Sequence, residues 1–271
     1  MYKHLLLLIS FIVVSNSLLA QYDQSKRGNN SKRNQRLRNK NYIKIYPDSA
    51  NNALCFSLQG GYQIPTGNLA NRFANSKSAG LAIYFKTKSN FCFGIAGDYY
   101  FGKTIKENNL FQNIKTVDGN IINPDGGYSE IKLYERGYFI GPTFGYISKI
   151  FSKNKNSGLS FWLSAGFFEH RIKILGDNVD QLSSDYKVGY DRLTNGFAIQ
   201  PAIFYYNMSR NHLLNYKIGV EFLAGFTQGQ RNINFDTGLS GRDKRFDGLL
   251  GIKAAWYIPK YLYSGVREIT Y

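Results

Sequence analysis

Two side chains of opposite charge, Glu221 and Lys253, stand where chemistry inside a folded core would be expected. Each sits five residues along an alternating segment, Glu221 counted forward from Tyr216 and Lys253 counted back from Ile258. If those segments are neighbouring antiparallel strands, the two groups are expected level with one another as an interior ion pair. Buried charges are nearly always paired, so a plug that satisfies its own charges outweighs a proton relay. A hydrolase or acyltransferase would instead need a nucleophile, a base and an orienter. The chain has three histidines, His4, His170 and His212. His4 falls in the leader and His212 in a short turn, which leaves His170 as the one base worth testing. Ser160 and Ser164 precede it on the same segment, too far down at about 3.3 Å of rise per residue to reach it easily. No catalytic set is therefore expected.

Metal and redox chemistry are weakly represented. Asp118-Gly119-Asn120 and Asn123-Pro124-Asp125-Gly126-Gly127 resemble fragments of a calcium loop but lack its bidentate Glu, and turn chemistry explains them better. Cys55 and Cys92 fall on the first and third alternating segments, with one strand between them. A Cα separation near 10 Å follows from the ~4.8 Å strand spacing, beyond disulfide reach, so both are expected as free thiols. No cofactor is expected.

The elements that must position these residues announce themselves by period-2 alternation. Along Leu54–Ile64 one face carries Leu54, Phe56, Leu58, Tyr62 and Ile64, and the other Cys55, Ser57, Gln59, Gly61 and Gln63. The pattern recurs at 79–88, 91–103, 130–148, 158–172, 195–208, 215–230 and 245–258, about eight strands of membrane-spanning length. Links near 89, 153 and 211 are short. Those at 65–78, 104–129, 173–194 and 231–244 are long and polar. A soluble sandwich also alternates, but its inner faces must supply a packed apolar core. Here large apolar residues face one side throughout, while Gly, Ser, Gln and charges face the other. That inversion suits lipid outside and a filled polar lumen inside, containing Gln59, Asp98, Gln200, Glu221, Lys253 and Lys86. Tyr62, Tyr99, Tyr138, Tyr146, Tyr205, Tyr216 and Trp256 would form the interfacial girdle. The expected fold is an all-β, transmembrane, antiparallel up-and-down β-barrel. Eight strands leave an interior just wide enough for side chains, which disfavours a diffusive pore.

The flanks complete the organisation. Residues 1–20 read as a secretory signal, with Lys3 and His4 ahead of the apolar run Leu5–Val14 and Ala20 at the cut; the mature chain would begin at Gln21. Residues 21–50 read as a basic disordered tail carrying Lys26, Arg27, Lys32, Arg33, Arg36, Arg38, Lys40 and Lys44. Such a run would suit nucleic acid in the cytosol, but export removes that partner. Contact with an anionic envelope polymer, lipid headgroups or another envelope protein is the alternative to a bare solvated tether. The barrel is expected over 51–259, ended by Pro259, with 260–271 as a C-terminal tail; the alternative places Tyr261 to Tyr271 in the strand region.

The leader ending Leu18-Leu19-Ala20-Gln21, the phrase Gly60-Gly61-Tyr62-Gln63-Ile64-Pro65-Thr66-Gly67-Asn68 and the aromatic strands resemble the small outer-membrane β-barrel proteins of Bacteroidota-type bacteria, porin-like or OmpA-barrel-like. The resemblance spans roughly residues 50–259. It implies residence in the outer membrane of a Gram-negative bacterium and specifies the activity poorly; a barrel too narrow for transport and poor in catalytic groups leaves its loops and tails as the working parts, so the expected role is a non-enzymatic structural or accessory subunit of an envelope assembly. A small porin or transporter and a barrel hydrolase or acyltransferase are the alternatives it leaves open.

Overall fold

A computed structural model describes residues 52–107, 109–176, 179, 182–209 and 214–262. The signal, the basic tail with its lysines and arginines, and residues 263–271 lie outside the described residues. Eight antiparallel strands run β1 Ala53–Gly67, β2 Ser76–Lys86, β3 Phe91–Gly102, β4 Lys132–Ile147, β5 Gly158–Leu175, β6 Thr194–Asn207, β7 Tyr216–Gly229 and β8 Lys244–Tyr261. Each pairs with the next, and β8 pairs back onto β1 from Ala53↔Tyr261 to Gly67↔Asp247, closing an up-and-down barrel with no free edge.

Burial follows the pleat. Phe56, Leu58, Leu81, Ile95, Phe144, Leu163, Ile203, Val220 and Ile252 are exposed on the outside. Gln59, Lys86, Asp98, Gln200, Glu221 and Lys253 are buried inside. A sheet with an apolar exterior and a polar interior is stable only where the surrounding medium is hydrocarbon, so the barrel spans a membrane. Tyr62, Tyr99, Tyr138, Tyr146, Tyr216 and Trp256 stand on the exposed face.

The strand ends correct one expectation. β8 continues through Pro259 to Tyr261, so the proline does not end the last strand. Tyr257 donates its N–H to the Asn215 carbonyl, just short of the start of β7. The donor that Pro259 lacks would point the same way two residues later, past the last rung of β7, so its absence breaks no ladder bond. Proline is harmless at this overhang.

The lumen fills in three layers. Next to the short turns Tyr84, Trp162, Phe204, Tyr206 and Tyr257 pack together with Cys55 and Cys92, both free thiols. Trp162 lies flat because β4 presents Gly145 beneath it: a Cβ there would fall 2.6 Å from the indole. Lys217 points its ammonium into this aromatic layer, 4.2 Å from the centre of the Trp162 ring. The middle layer is ionic and amidic. Above it Tyr100, Phe139, Phe168, Leu223 and Leu249 join Leu69, Phe73, Leu110 and Leu182 of the long connections in a second apolar core. The long connections thus pack down into the barrel mouth instead of standing clear of it.

Candidate functional site

Lys253 is the centre of the middle layer. Its ammonium lies 2.5 Å from Glu221 Oε2 and 2.7 Å from Asp98 Oδ2, so one cation serves two carboxylates. Register places Gly251 opposite Glu221 and Gly219 opposite Lys253, so these two side chains meet on a diagonal, two residues away from the level arrangement expected of them. Amides take the remaining lone pairs: Gln59 donates to Asp98, while Gln63 and Gln200 donate to Glu221. Asp98 comes from β3, across the lumen from β8, and strand-neighbour counting does not register such a contact. The cavity left among these groups holds about 20 Å³, space for about one water molecule.

His170, on β5, is buried beneath the long connections. Its Nε2 is 2.9 Å from Asp247 Oδ2, an oxygen that also accepts a hydrogen bond from Thr227. Phe73 and Phe168 flank the imidazole. The serines lower on β5 are committed elsewhere: Ser160 donates to the Phe204 carbonyl and Ser164 to Thr143 Oγ1. The structure therefore pairs a histidine with an orienting carboxylate but brings neither serine to it.

At the long-loop end a belt of arginines and carboxylates joins every connection. Arg72, between β1 and β2, donates Nε to Glu107 in the β3–β4 connection at 2.9 Å and Nη1 to the Arg192 carbonyl. Arg192, between β5 and β6, reaches the other oxygen of Glu107 at 2.9 Å and Asp236, between β7 and β8, at 2.5 Å. Arg231 grips Asp191 with two donors, at 2.8 and 2.6 Å. Arg245 closes the circle by donating to the Asn68 carbonyl. Burial alone raises a carboxyl group's pKa, but the guanidiniums of Arg72 and Arg192 outweigh it and hold Glu107 below the usual carboxylate range. A cavity of about 300 Å³ opens inside this belt. The belt has no counterpart in the sequence reading, because long connections carry no period from which spacing can be inferred.

Asp118-Gly119-Asn120 and Asn123–Gly127 form hydrogen-bonded turns. Gly119 and Gly126 adopt φ of 80° and 79° there, closed by N–H bonds to the Thr116 and Asn123 carbonyls.

The opposite end is capped differently. The β4–β5 connection folds across the barrel floor: Asn156 accepts a hydrogen bond from Lys86, Asn154 donates to the Met208 carbonyl, and Asn90 donates to the Lys155 carbonyl. The lysines of these turns, Lys88, Lys149, Lys153 and Lys155, remain exposed.

No family model and no curated protein matches the chain. Among solved structures it is similar to Ail, the attachment invasion locus protein of Yersinia pestis, crystallised with the heparin analogue sucrose octasulfate. Identity is 10%, covering 77% of this chain and 99% of that one, with a TM-score of 0.36. It is also similar to Neisserial surface protein A, at 11% identity over 75% of this chain and 95% of that one, with a TM-score of 0.35.

Proposed function

We propose that the chain is a non-enzymatic outer-membrane β-barrel serving as a structural or accessory subunit of an envelope assembly, in secretion or outer-membrane biogenesis. The long connections face outward and the short turns and basic tail face the periplasm. The observation that carries this reading is the packed lumen, with Lys253 held between Asp98 and Glu221 and room for about one water beside them. A barrel without a conduit works through what it displays at its ends. His170 is buried and the serines below it on β5, Ser160 and Ser164, are bonded elsewhere, which argues against the hydrolase and acyltransferase reading. The tail residues Lys26, Arg27, Lys32, Arg33, Arg36, Arg38 and Lys40 supply the positive charge for partner contact on the periplasmic side. Partners of the matching chemistry are another envelope protein or an anionic envelope polymer, with lipid around the wall.

The test has two steps. Unboiled protein from detergent-extracted outer membrane should migrate differently from boiled protein on a gel; identical mobility, with the protein soluble in the periplasm, would sink the barrel reading. Deleting residues 21–44 should then abolish co-purification of envelope partners while leaving the mobility shift intact, and retention of every partner would refute the role of the tail. Single-channel recordings of the reconstituted protein separate this from the porin reading: a quiet membrane is expected, and resolved conductance steps would favour a porin.

A further inference from the structure

The short-turn end carries a feature that the basic tail does not explain. The turns 87–90, 148–157 and 208–215 contain no Asp or Glu, yet Lys88, Lys149, Lys153 and Lys155 cluster on the first two of them. Those two turns join β2 to β3 and β4 to β5, so the charge gathers over one side of the wall, above β3, β4 and β5. The β4–β5 turn adds Ile150 and Phe151 between its lysines. Phe151 is 81% exposed, on a backbone with φ of 63° that a bulky residue rarely adopts. The bonds donated by Asn154 and Asn90, and the one Asn156 accepts from Lys86, fix the turn across the barrel floor, so these groups are displayed on a braced support.

Directly beside these lysines the lipid-facing wall is grooved. Register sets Phe91, Tyr146 and Phe161 level on β3, β4 and β5, and Phe93, Phe144 and Leu163 level one tier further from the turns. The rings of Phe91 and Tyr146 are 5.0 Å apart. Between the tiers only backbone faces the lipid, because Cys92, Gly145 and Trp162 turn inward, and the open hollow measures about 500 Å³, almost wholly apolar in its lining. Tyr146 is three residues from Lys149, at most about 10 Å along an extended chain. An apolar hollow in the wall thus lies next to a cluster of exposed lysines on turns that contain no Asp or Glu.

We propose that this groove and its lysines form a binding site for one anionic phospholipid of the inner leaflet. An acyl chain would lie between the aromatic tiers and the headgroup phosphate against Lys88, Lys149, Lys153 and Lys155. The proposal rests on the orientation given above, with the short turns facing the periplasm. Apolar contact alone would accept any lipid; the lysines supply the selectivity, since each cation near an anionic headgroup is worth about fivefold in binding. Ile150 and Phe151 would sit at the acyl boundary, where an exposed aromatic is favourable.

The experiment uses the full-length protein, delipidated in detergent, with bound lipid counted by native mass spectrometry. It is titrated with phosphatidylglycerol and, separately, with phosphatidylcholine of the same acyl chains. Preference for phosphatidylglycerol by about tenfold or more is expected. Replacing Lys88, Lys149, Lys153 and Lys155 together by Gln should remove that preference; the exposed pair Lys153→Gln/Lys155→Gln alone should reduce it by about tenfold or more. Phe144→Ala should weaken both lipids alike. Excess glycerol phosphate should not displace the lipid; displacement would mean that the lysines bind free phosphate and the groove contributes nothing. Equal binding of the two lipids, or an unchanged preference in the four-lysine variant, would overturn the site. Replacing the tail cations by Gln should leave the preference in place; if it vanishes there instead, the tail is the lipid contact and the groove is not. Each variant's heat-dependent mobility is read alongside, so that loss of the barrel is distinguishable from loss of the site.

Discussion

From the middle of the lumen to the long-loop end every described interior or belt cation is matched by a carboxylate or an aromatic face, whereas at the short-turn end the lysines have no acidic residue near them in sequence. Lys253 is shared by Asp98 and Glu221, and Arg72, Arg192 and Arg231 are clasped by Glu107, Asp236 and Asp191. Lys88, Lys149, Lys153 and Lys155 sit on turns without Asp or Glu. The difference separates charge that holds the molecule together from charge that is displayed. Water is scarce in the lumen and belt, where an unpaired ion costs several kcal/mol. At the exposed edge an ion is solvated and carries no such requirement. Buried Lys86, at the short-turn end, is met by the Asn156 amide oxygen; the exposed lysines of the turns beside it are left for something outside to meet.

The largest expected effect comes from breaking the matched side at its most buried point. Lys253→Met would strand two carboxylates in the lumen. Removing one partner of a buried pair costs about 3–5 kcal/mol. The temperature at which the unboiled gel band converts to the boiled mobility should fall sharply, and restoring balance with Asp98→Asn/Glu221→Gln in the same chain should recover much of the loss. No change in the single variant would mean that the lumen charges are not interdependent.

How far this was legible follows from how each contact is encoded. The eight strands and their inward and outward faces could be read from Leu54–Ile64 onward, because a lipid-facing sheet writes its two faces as strict alternation. The lumen contents, Gln59, Asp98, Gln200, Glu221 and Lys253, follow from the same period. Which of them touch does not. Register is set by hydrogen bonding, which placed Lys253 opposite Gly219, and Asp98 approaches from across the barrel along a path that no spacing records. Pro259 misleads for a related reason: a proline stops a strand only where a ladder bond is due, and at the β8 overhang none is. The belt was illegible because Arg72, Glu107, Arg192 and Asp236 come from four connections, whose meeting depends on the barrel being closed first.

The belt itself gives the next prediction. Arg72→Ala removes the donors to Glu107 and to the Arg192 carbonyl, and hydrogen bonds of charged groups are worth about 1.5–3 kcal/mol each at partly buried sites. Cleavage of residues 103–131 by protease added to intact cells should speed up while the barrel's mobility shift persists. The same contact sets an acid limit. Because Glu107 is held below the usual carboxylate range, its contribution is fully present above the ordinary carboxylate value and is lost only as pH falls through its own, lower one. Protease sensitivity of these connections should therefore stay flat from neutral pH down to the ordinary carboxylate value and rise progressively below it, as pH falls toward Glu107's own, lower one. A rise near neutral pH would show that Glu107 is not what closes the belt.

At the other end the corresponding backbone constraint is Gly158, where β5 leaves the floor-covering turn with φ of 139°. A Cβ there would fall 2.1 Å from the Ser148 carbonyl oxygen. Gly158→Ala should cost about 1–3 kcal/mol by strain and displacement of that turn. Hydrogen exchange should rise at 148–157 while the protection of β1 and β8 is unchanged. Equal protection everywhere would mean that the turn absorbs the side chain without opening.

The smallest effect distinguishes the two kinds of charge most directly. If the rim lysines are displayed and not structural, Lys153→Gln/Lys155→Gln should shift barrel stability by no more than about 0.5 kcal/mol, the range for exposed surface changes. The fold draws on Lys155 through its backbone carbonyl, which Asn90 holds and Gln leaves in place. The conversion temperature on the gel should match that of the parent chain, in contrast to the fall expected for Lys253→Met. A comparable fall in the rim variant would mean that these lysines find carboxylates in the folded chain after all, and the contrast between the two ends would collapse into one rule of matched charge.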